Sequence, residues 1–458
     1  VKRFNEKAND IFRIPSAEHL NNEVLLSFVK RFVNEQLPRL KKLRAYYLND
    51  AEINYREARD STRADNRLAH NFARYISTVA QGYLLGKPIT YNHENEAVLE
   101  QINTFNDMNN EQSHNALLGL DLSIYGRAFE MFYTDEESQE RLAVSDPTET
   151  FVIYDTTVQM KPIAAVRLYS LVIGEEVQVF VEKYTATHTT FYTSNKDYSE
   201  LSQTDEKQHF FGAVSISEYW NNDHRLGDFE TALDQIDAYN ISQSDTANGQ
   251  EDHADAYLVL QGQPNTDSDD VQKMKEARVI ALDDAPEGQS AAAYYLVKSY
   301  DVAGQEAYKN RLVNDIHKLT FIPDLSDEKF SSNVSGEAMK YKLFVFDQLR
   351  ATKERLFKEG IMARYRIVGR MWSIKNKDTA GIEKLEIAFT PNLPANVTEL
   401  IDNVVKLDGV VSDETRLAML PVVEDVGAEL ERIKQEKEEA MKEFQMQPVL
   451  QQGVSAGE

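Results

Sequence analysis

The chain has 458 residues and a formal charge of -25, with 75 acidic against 50 basic side chains. A charge that negative works against general affinity for nucleic acid or anionic membranes, whose surfaces carry the same sign. Cysteine is absent, which excludes a disulfide framework and any thiolate metal site, while 42% hydrophobic residues and 22 tyrosines give enough apolar material for two or three folded units.

In chain order, the region from Lys30 to Lys87 is net basic, against the overall balance. Residues 22 to 36 carry apolar side chains at helical spacing. So do residues 66 to 85, where Leu68, Phe72, Tyr75, Ile76, Val79 and Tyr83 predict a helix that Pro88 ends. Asn115 to Tyr125 reads as another helix. From Ala128 to about Phe211 the pattern turns β-branched and aromatic (AFEMFYT, TFVIYDTT, IAAVRLYSLVI, EVQVFVEKYTATHTTFYT), with Gly174-Glu175-Glu176 as a hairpin turn.

Residues 228 to 262 then hold Asp228, Glu230, Asp234, Asp237, Asp245, Glu251, Asp252 and Asp255, with no lysine or arginine. By propensity alone this stretch is a linker, because Gly249 costs about 1 kcal/mol relative to Ala in a helix and Asn, Ser and Asp are weak helix formers. If it is helical, Asp234, Asp237, Asp245, Asn248, Asp252 and Asp255 share one face, interrupted by Ile241. A loop-rich piece with two short strand candidates follows. YKNRLVNDIHKLTFI (308 to 322) is amphipathic and helical, and residues 326 to 337 form a Ser/Gly/Asn loop. The segment 338 to 372 predicts one long helix with Tyr341, Val345, Leu349 and Leu356 on its inner face and a kink at Gly360. IEKLEIAF alternates like a strand, the stretch from Pro391 predicts two short capped helices, and Val423, Val426, Leu430 and Ile433 lead into a charged C-terminal helix. Residues 445 to 458 read as disordered.

Motifs for chemistry are largely missing. Gly82 to Thr90 (GYLLGKPIT) has three residues between its glycines where a P-loop needs four, and Pro88 where magnesium needs Ser or Thr. Asn265, Asp267, Asp269 and Glu276 match positions of a calcium loop, yet its turn glycine is replaced by Asp270. No two histidines are spaced to grip zinc from one helix face, and no GxSxG elbow occurs. Neither a catalytic site nor a cofactor is expected. No apolar run nears the roughly 20 residues that span a bilayer. No signal-peptide pattern is present, so the sequons at Asn240, Asn333 and Asn396 read as chance matches in a soluble protein made in a reducing cytoplasm.

Four stretches, in order, resemble the portal proteins of long-tailed bacteriophages that infect Gram-positive hosts: NRLAHNFARYISTVAQGYLLGKPITY, EYWNNDHRLGDFETALDQIDAYN, SSNVSGEAMKYKLFVFDQL and IAFTPNLPANVTELIDNVVKLDGVVSDETRLAMLPVVEDVGAELERI. The likeness runs from about Tyr46 to Glu436. One departure is Ser215, where relatives usually carry proline.

The resemblance implies an α+β portal fold assembled as a ring, dodecameric in the virion, around a DNA channel. It assigns residues 1–227 to a wing, 228–262 to a first stem helix, 263–303 to a clip and 304–322 to a second stem helix. Residues 323–336 become a tunnel loop, 337–393 a long wing helix and strand, and 394–444 a crown. Under this reading Ser331, Ser332, Asn333, Val334, Ser335 and Gly336 face moving DNA. Asp234, Asp237, Asp245, Asp252 and Asp255 line the channel and repel the duplex, acting within the roughly 8 Å that salt screening leaves. Lys273, Lys275 and Arg278 dock partners at the clip. The partners implied are further copies of the chain, double-stranded viral DNA, the terminase large subunit, a head-completion adaptor, and the major capsid and scaffolding proteins. The location implied is the capsid portal vertex, with assembly in the host cytoplasm. Two other classes stay open: an oligomeric or coiled-coil scaffold without a DNA channel, and a hydrolase with a cleft of carboxylates.

Overall fold

The computed structural model describes residues 6–59, 63–174, 176–253, 257–261, 269, 272–273, 292–296, 301–325, 336–392, 404–420, 423 and 426–446. These divide into two compact units, one within Val1–Asp324 and Phe344–Asn392, the other within Leu325–Leu343 and Leu393–Glu458.

The first helix, α1 (Asn22–Arg31), starts where the Asn21 side chain accepts a hydrogen bond from the Val24 N–H at 2.9 Å. A π-type segment, Phe32–Gln36, carries it into α2 (Leu37–Tyr47). Leu25, Phe28, Val29, Phe32, Leu40 and Leu43 are buried along this run. The helix predicted from residue 66 begins later, as α3 (Phe72–Leu85), capped by the Asn71 side chain on the Arg74 N–H. Residues 64–71 belong to no helix or strand; the Asn66, Leu68 and His70 N–H groups bond to another helix, as described below. Gly86 ends α3, so the glycines of the P-loop-like stretch form a helix end and turn. Helices α4 (Glu96–Met108) and α5 (Glu111–Tyr125) follow.

The sheet-rich region is as its pattern predicts. A short β1 (Phe12–Arg13) pairs in parallel with β5 (Thr150–Tyr154), and β6 (Pro162–Ile173), β7 (Glu176–Tyr184), β8 (His188–Ser194) and β9 (Ser202–Gln208) extend that sheet in antiparallel order. Gly174 makes the β6–β7 turn at φ +68°, a left-handed conformation glycine adopts without strain. A second sheet orders β10 (Ile216–Trp220), β3 (Arg127–Thr134) and β4 (Glu140–Ser145). β2 (Thr90–Asn92) pairs with β13 (Glu386–Ala388), the strand expected from IEKLEIAF, and β11 (Tyr257–Gln261) pairs with β12 (Ala292–Leu296).

The acidic stretch is mostly helical after all, as α6 (Leu233–His253), beside α7 (Val302–Thr320). The long helix, α8 (Gly336–Ile374), is continuous over 39 residues, about 58 Å at 1.5 Å per residue. Its inner face differs from the one predicted. Tyr341 and Val345 are exposed, and the buried stripe in the first unit runs through Phe346, Lys353, Phe357, Ile361, Arg364, Val368 and Trp372. The apolar pattern misplaced it because two cations, Lys353 and Arg364, lie on the buried side. The helix runs unbroken through Gly360, where a Cβ would lie 2.2 Å from the Tyr219 ring, so glycine permits close approach of α8 to β10. The core gathered here joins Leu84, Ile102, Leu118, Phe132, Tyr219, Phe357 and Trp372. Each such side chain contributes roughly 1.5–3 kcal/mol by leaving water.

In the second unit, Ser412 caps α9 (Asp413–Ala418) through the Thr415 N–H, and α10 (Val426–Met446) carries the charged C-terminal pattern. Of the first short helix predicted after Pro391, only 404–406 are described and helical. Residues 447–458 lie outside the described residues.

Candidate functional site

Helices α6 and α7 lie side by side. Their contact is largely polar: Lys309 Nζ donates to Gln243 Oε1 at 3.1 Å, and Thr246 Oγ1 donates to Gln305 Oε1 at 3.4 Å. Ile236, Leu312 and Ile316 supply apolar burial towards the start of α6 and the end of α7.

A second face of α6 carries Asn240, Ser244 and Asn248, all at most 1% exposed. Asn240 Oδ1 accepts from the His70 N–H at 2.9 Å, Ser244 Oγ from the Leu68 N–H at 2.9 Å, and Asn248 Oδ1 from the Asn66 N–H at 2.6 Å. The periods match: two extended residues advance about 6.6 Å and one four-residue helical step 6.0 Å. Every second N–H of the extended segment therefore meets a side chain from successive turns, with the chains antiparallel. The sequon at Asn240 is buried and engaged. Those at Asn333 and Asn396 lie outside the described residues.

The acids of α6 sit beside this ladder. Asp234 is exposed. Asp237 accepts from Tyr46 Oη at 2.6 Å; burial pushes its carboxyl up, against the Tyr46 hydrogen bond, and pushes the Tyr46 phenol up strongly. Asp245 pairs with Arg56 Nη1 at 2.7 Å and lies 3.9 Å from Arg59. Glu251 accepts from Asn66 Nδ2 at 2.7 Å. Thus two of the acids expected to face a channel are bonded to the basic segment of their own subunit, and Ile241 stands exposed between them. The side chain of Asp252 and all of Asp255 lie outside the described residues. So do Lys275, Arg278 and the loop from Ser331 through Asn333 and Val334 to Ser335, while Gly336 opens α8 and Lys273 is exposed.

The segment leading into α6 is held by charge. Arg39 on α2 binds Glu230 through Nη2 at 2.6 Å and through Nε at 2.7 Å, and also reaches the Arg225 carbonyl. Lys353 on α8 pairs with Asp228, which also accepts from Asn221 Nδ2 at 2.8 Å.

Away from α6, a buried carboxylate lies within a cluster of polar partners. Glu130 and Arg364, both 0% exposed, pair at 2.8 Å. His114 Nε2 and Tyr219 Oη lie at 2.7 and 2.9 Å from Glu130, and Arg364 reaches Glu111 and Asn115. Burial pushes the Glu130 carboxyl up, but Arg364 and His114 outweigh it and hold the group at about 2. Such a carboxylate is a permanent anion, unsuited to proton transfer near neutral pH. Among the described residues no group of His, Asp and Glu is arranged to hold a metal. Of the calcium-like ligand positions only Asp269 is described.

The family model described as "Phage portal protein, SPP1 Gp6-like" matches residues 26–443. The chain belongs to this portal protein family. The portal protein of Bacillus phage SPP1 is 26% identical over 446 residues, covering 92% of this chain and 84% of the relative. The portal protein of Clostridium phage phiCD119 is 24% identical over 414 residues, covering 84% and 89%. The solved structure "Neck of empty GTA particle computed with C6 symmetry" aligns at a TM-score of 0.41 with 12% identity, over 83% of this chain and 93% of that one. Both relatives come from phages of Gram-positive genera, in keeping with the resemblance read from the sequence. The portal-family match contains all of α6 and α7 and the segment whose N–H groups bond to α6.

Sequence reasoning missed the ladder residues and the buried cations. A signal for the first existed in Asn240, Ser244 and Asn248, three small polar residues four apart. Lys353 and Arg364 gave none, since their acidic partners lie more than a hundred residues away.

Proposed function

We propose that this chain is the subunit of a ring, dodecameric in the virion, that forms the DNA channel at one capsid vertex. Its role is structural: the genome is packaged and ejected through the ring, and a separate terminase motor supplies the work. The observation that carries this reading is the portal-family match across 418 of 458 residues, residues 26–443. The polar stem supports it, since α6 gains little by burial within one subunit and leaves Asp234 and Ile241 to meet neighbours or the channel.

The acids Asp234, Asp252 and Asp255 are proposed to face the channel, with Asp237 and Asp245 contributing less because Tyr46 and Arg56 engage them. An acidic wall keeps phosphates from adhering, so the duplex slides. Residues 331–336 are proposed as the loop that rides on DNA, and the clip around Lys273, Lys275 and Arg278 as the docking site for the motor and then the head-completion adaptor. Capsid and scaffolding proteins surround the ring during assembly in the host cytoplasm.

Negative-stain microscopy with native mass spectrometry tests the central claim. Rings with a central hole are expected at micromolar concentration. Monomers and dimers alone would count against it. Replacing Lys273, Lys275 and Arg278 by Glu is expected to leave rings intact and weaken motor binding, and unchanged packaging by that variant removes the clip assignment.

A further inference from the structure

We propose that helix α3 is the shared anchor of the three places where the chain leaves or re-enters the first unit, with Tyr75 and Tyr83 as its positioning residues. Those places are after Asp324, before Phe344 and after Asn392. Every contact that carries the proposal lies within the first unit.

At the first exit, Tyr75 Oη donates to the Pro323 carbonyl at 3.1 Å. His317 of α7 packs edge-on against the Tyr75 ring at 5.7 Å, and its Nδ1 lies 3.0 Å from the Ile322 carbonyl. At the re-entry, the Tyr83 ring stacks on Phe346 of α8 at 4.3 Å, and Tyr83 Oη donates to Asp347 at 2.6 Å. Burial, and then the bond to Asp347, pushes the Tyr83 phenol up, so the hydroxyl stays a donor. Arg350 also holds Asp347, at 3.2 Å. At the last exit Tyr83 acts through its backbone, its carbonyl accepting from the Asn392 N–H at 3.2 Å. That carbonyl is free to accept because Tyr83 lies in the last turn of α3, where carbonyls have no partner within the helix. Beside it, a Cβ on Gly86 would lie 2.5 Å from Asn392 Nδ2, so the helix end is closed up against Asn392.

Tyr75 and Tyr83 stand eight residues apart, about 12 Å along one helix. A single element therefore fixes both ends of residues 325–343. That stretch includes the loop proposed to ride on DNA, a link that rests on the proposed function, whereas the anchoring does not. Tyr83 also joins two of the three places, since its ring is bound to α8 and its carbonyl to Asn392. Leu84 and Leu85 keep the same turn in the core. Releasing the ring should therefore weaken the Asn392 bond without unfolding α3.

The full chain, which has no native cysteine, takes single spin labels. With the label at Ser326→Cys, Tyr75→Phe is expected to raise its mobility; a label at Val345→Cys should not respond to that change. Hydrogen exchange reads the third place. Asp347→Ala removes the acceptor for the Tyr83 hydroxyl and is expected to speed exchange of the Asn392 amide roughly fivefold while α3 amides stay protected. Tyr83→Phe should do the same. Asp347→Asn keeps an acceptor and should hold Asn392 at the parent rate, a rescue that a general loss of stability would not produce. The proposal is overturned if Asn392 responds to neither Asp347→Ala nor Tyr83→Phe, or if the Ser326→Cys label ignores Tyr75→Phe. It is equally overturned if α3 amides lose protection together with Asn392, since the helix is then no fixed anchor. These readouts need neither ring nor DNA, so a failed anchor is distinguished from a failed ring, which microscopy of the parent reports.

Discussion

Lys353, on the long helix, is ion-paired with Asp228, just ahead of α6, and both side chains are at most 4% exposed. The pair ties together positions 125 residues apart and fixes where α6 leaves the core. Asp228 is held further by its own N–H on the Ser123 carbonyl at 2.8 Å. Gly227 sits beside it where a Cβ would meet the Ile124 carbonyl at 2.4 Å, so the turn into the stem has no spare room.

Breaking this pair from one side should be costly, because the remaining charge stays buried. Lys353→Met or Asp228→Leu alone is expected to lower stability by about 3–5 kcal/mol, and the double variant by much less than the sum. Urea unfolding of the four proteins gives the coupling. Single losses below about 1 kcal/mol would show that water reaches the site.

Two helical glycines should respond in opposite directions. Gly82 in α3 has open space where a Cβ would go, so Gly82→Ala is expected to stabilise by about 0.5–1 kcal/mol. At Gly360 the Tyr219 ring stands in the way, and that ring is fixed by its hydroxyl on Glu130. Gly360→Ala is expected to destabilise by roughly 1–3 kcal/mol. Thermal unfolding of the two variants side by side is the measurement.

Two carboxyls should give opposite pH dependences. Burial pushes Asp121 from an ordinary 3.8 up to about 8, with Asp146 adding and Arg44 opposing. A raised carboxyl favours the fold while protonated, so its contribution is complete below pH 3.8 and lost as pH rises towards 8. Asp121→Asn should gain stability relative to the parent across that window and level off above it. Glu130 is lowered from 4.5 to about 2, so its contribution is present above 4.5 and lost as pH falls towards 2. Unfolding midpoints for the parent and Asp121→Asn from pH 3 to 9 check the first; an unchanged difference across the range would refute it.

The exposed and the engaged acids of α6 should also part company. Asp234→Lys is expected to leave folding unchanged, as exposed substitutions usually do. On the proposed channel wall it should steepen the salt dependence of DNA binding by about 0.9 in log–log slope for each new phosphate contact. Asp245→Lys sets a cation against Arg56 and Arg59 and is expected to lower stability, measured by urea unfolding. Equal DNA-binding slopes for the parent and Asp234→Lys would remove Asp234 from the wall.

The loop proposal is open to a thiol probe, because the chain has no native cysteine. Ser332→Cys in packaging-arrested particles is expected to crosslink to DNA or to neighbouring loops. Free labelling from outside an intact ring would rule out the tunnel position.

By itself the sequence determined the elements whose signals are local. The β-rich run from Ala128, the turn at Gly174, the helical spacing of residues 22–36 and the existence of the long helix all follow from side-chain periodicity and backbone preference, which neighbours in sequence settle. The family was legible from four stretches in fixed order, and the family model matches residues 26–443. Only the tertiary structure decided what depends on distant partners. Residues 66–71 carry a helical pattern yet stay extended, because three side chains some 170–182 residues away satisfy their N–H groups. The rotation of α8 was hidden because Glu130 and Asp228 draw Arg364 and Lys353 inward, and charge pairing across the fold leaves no period to read. The poor helix former α6 is helical for the same reason: its polar side chains find partners in residues 66–70 and in α7, and those contacts outweigh a propensity penalty of about 1 kcal/mol at Gly249.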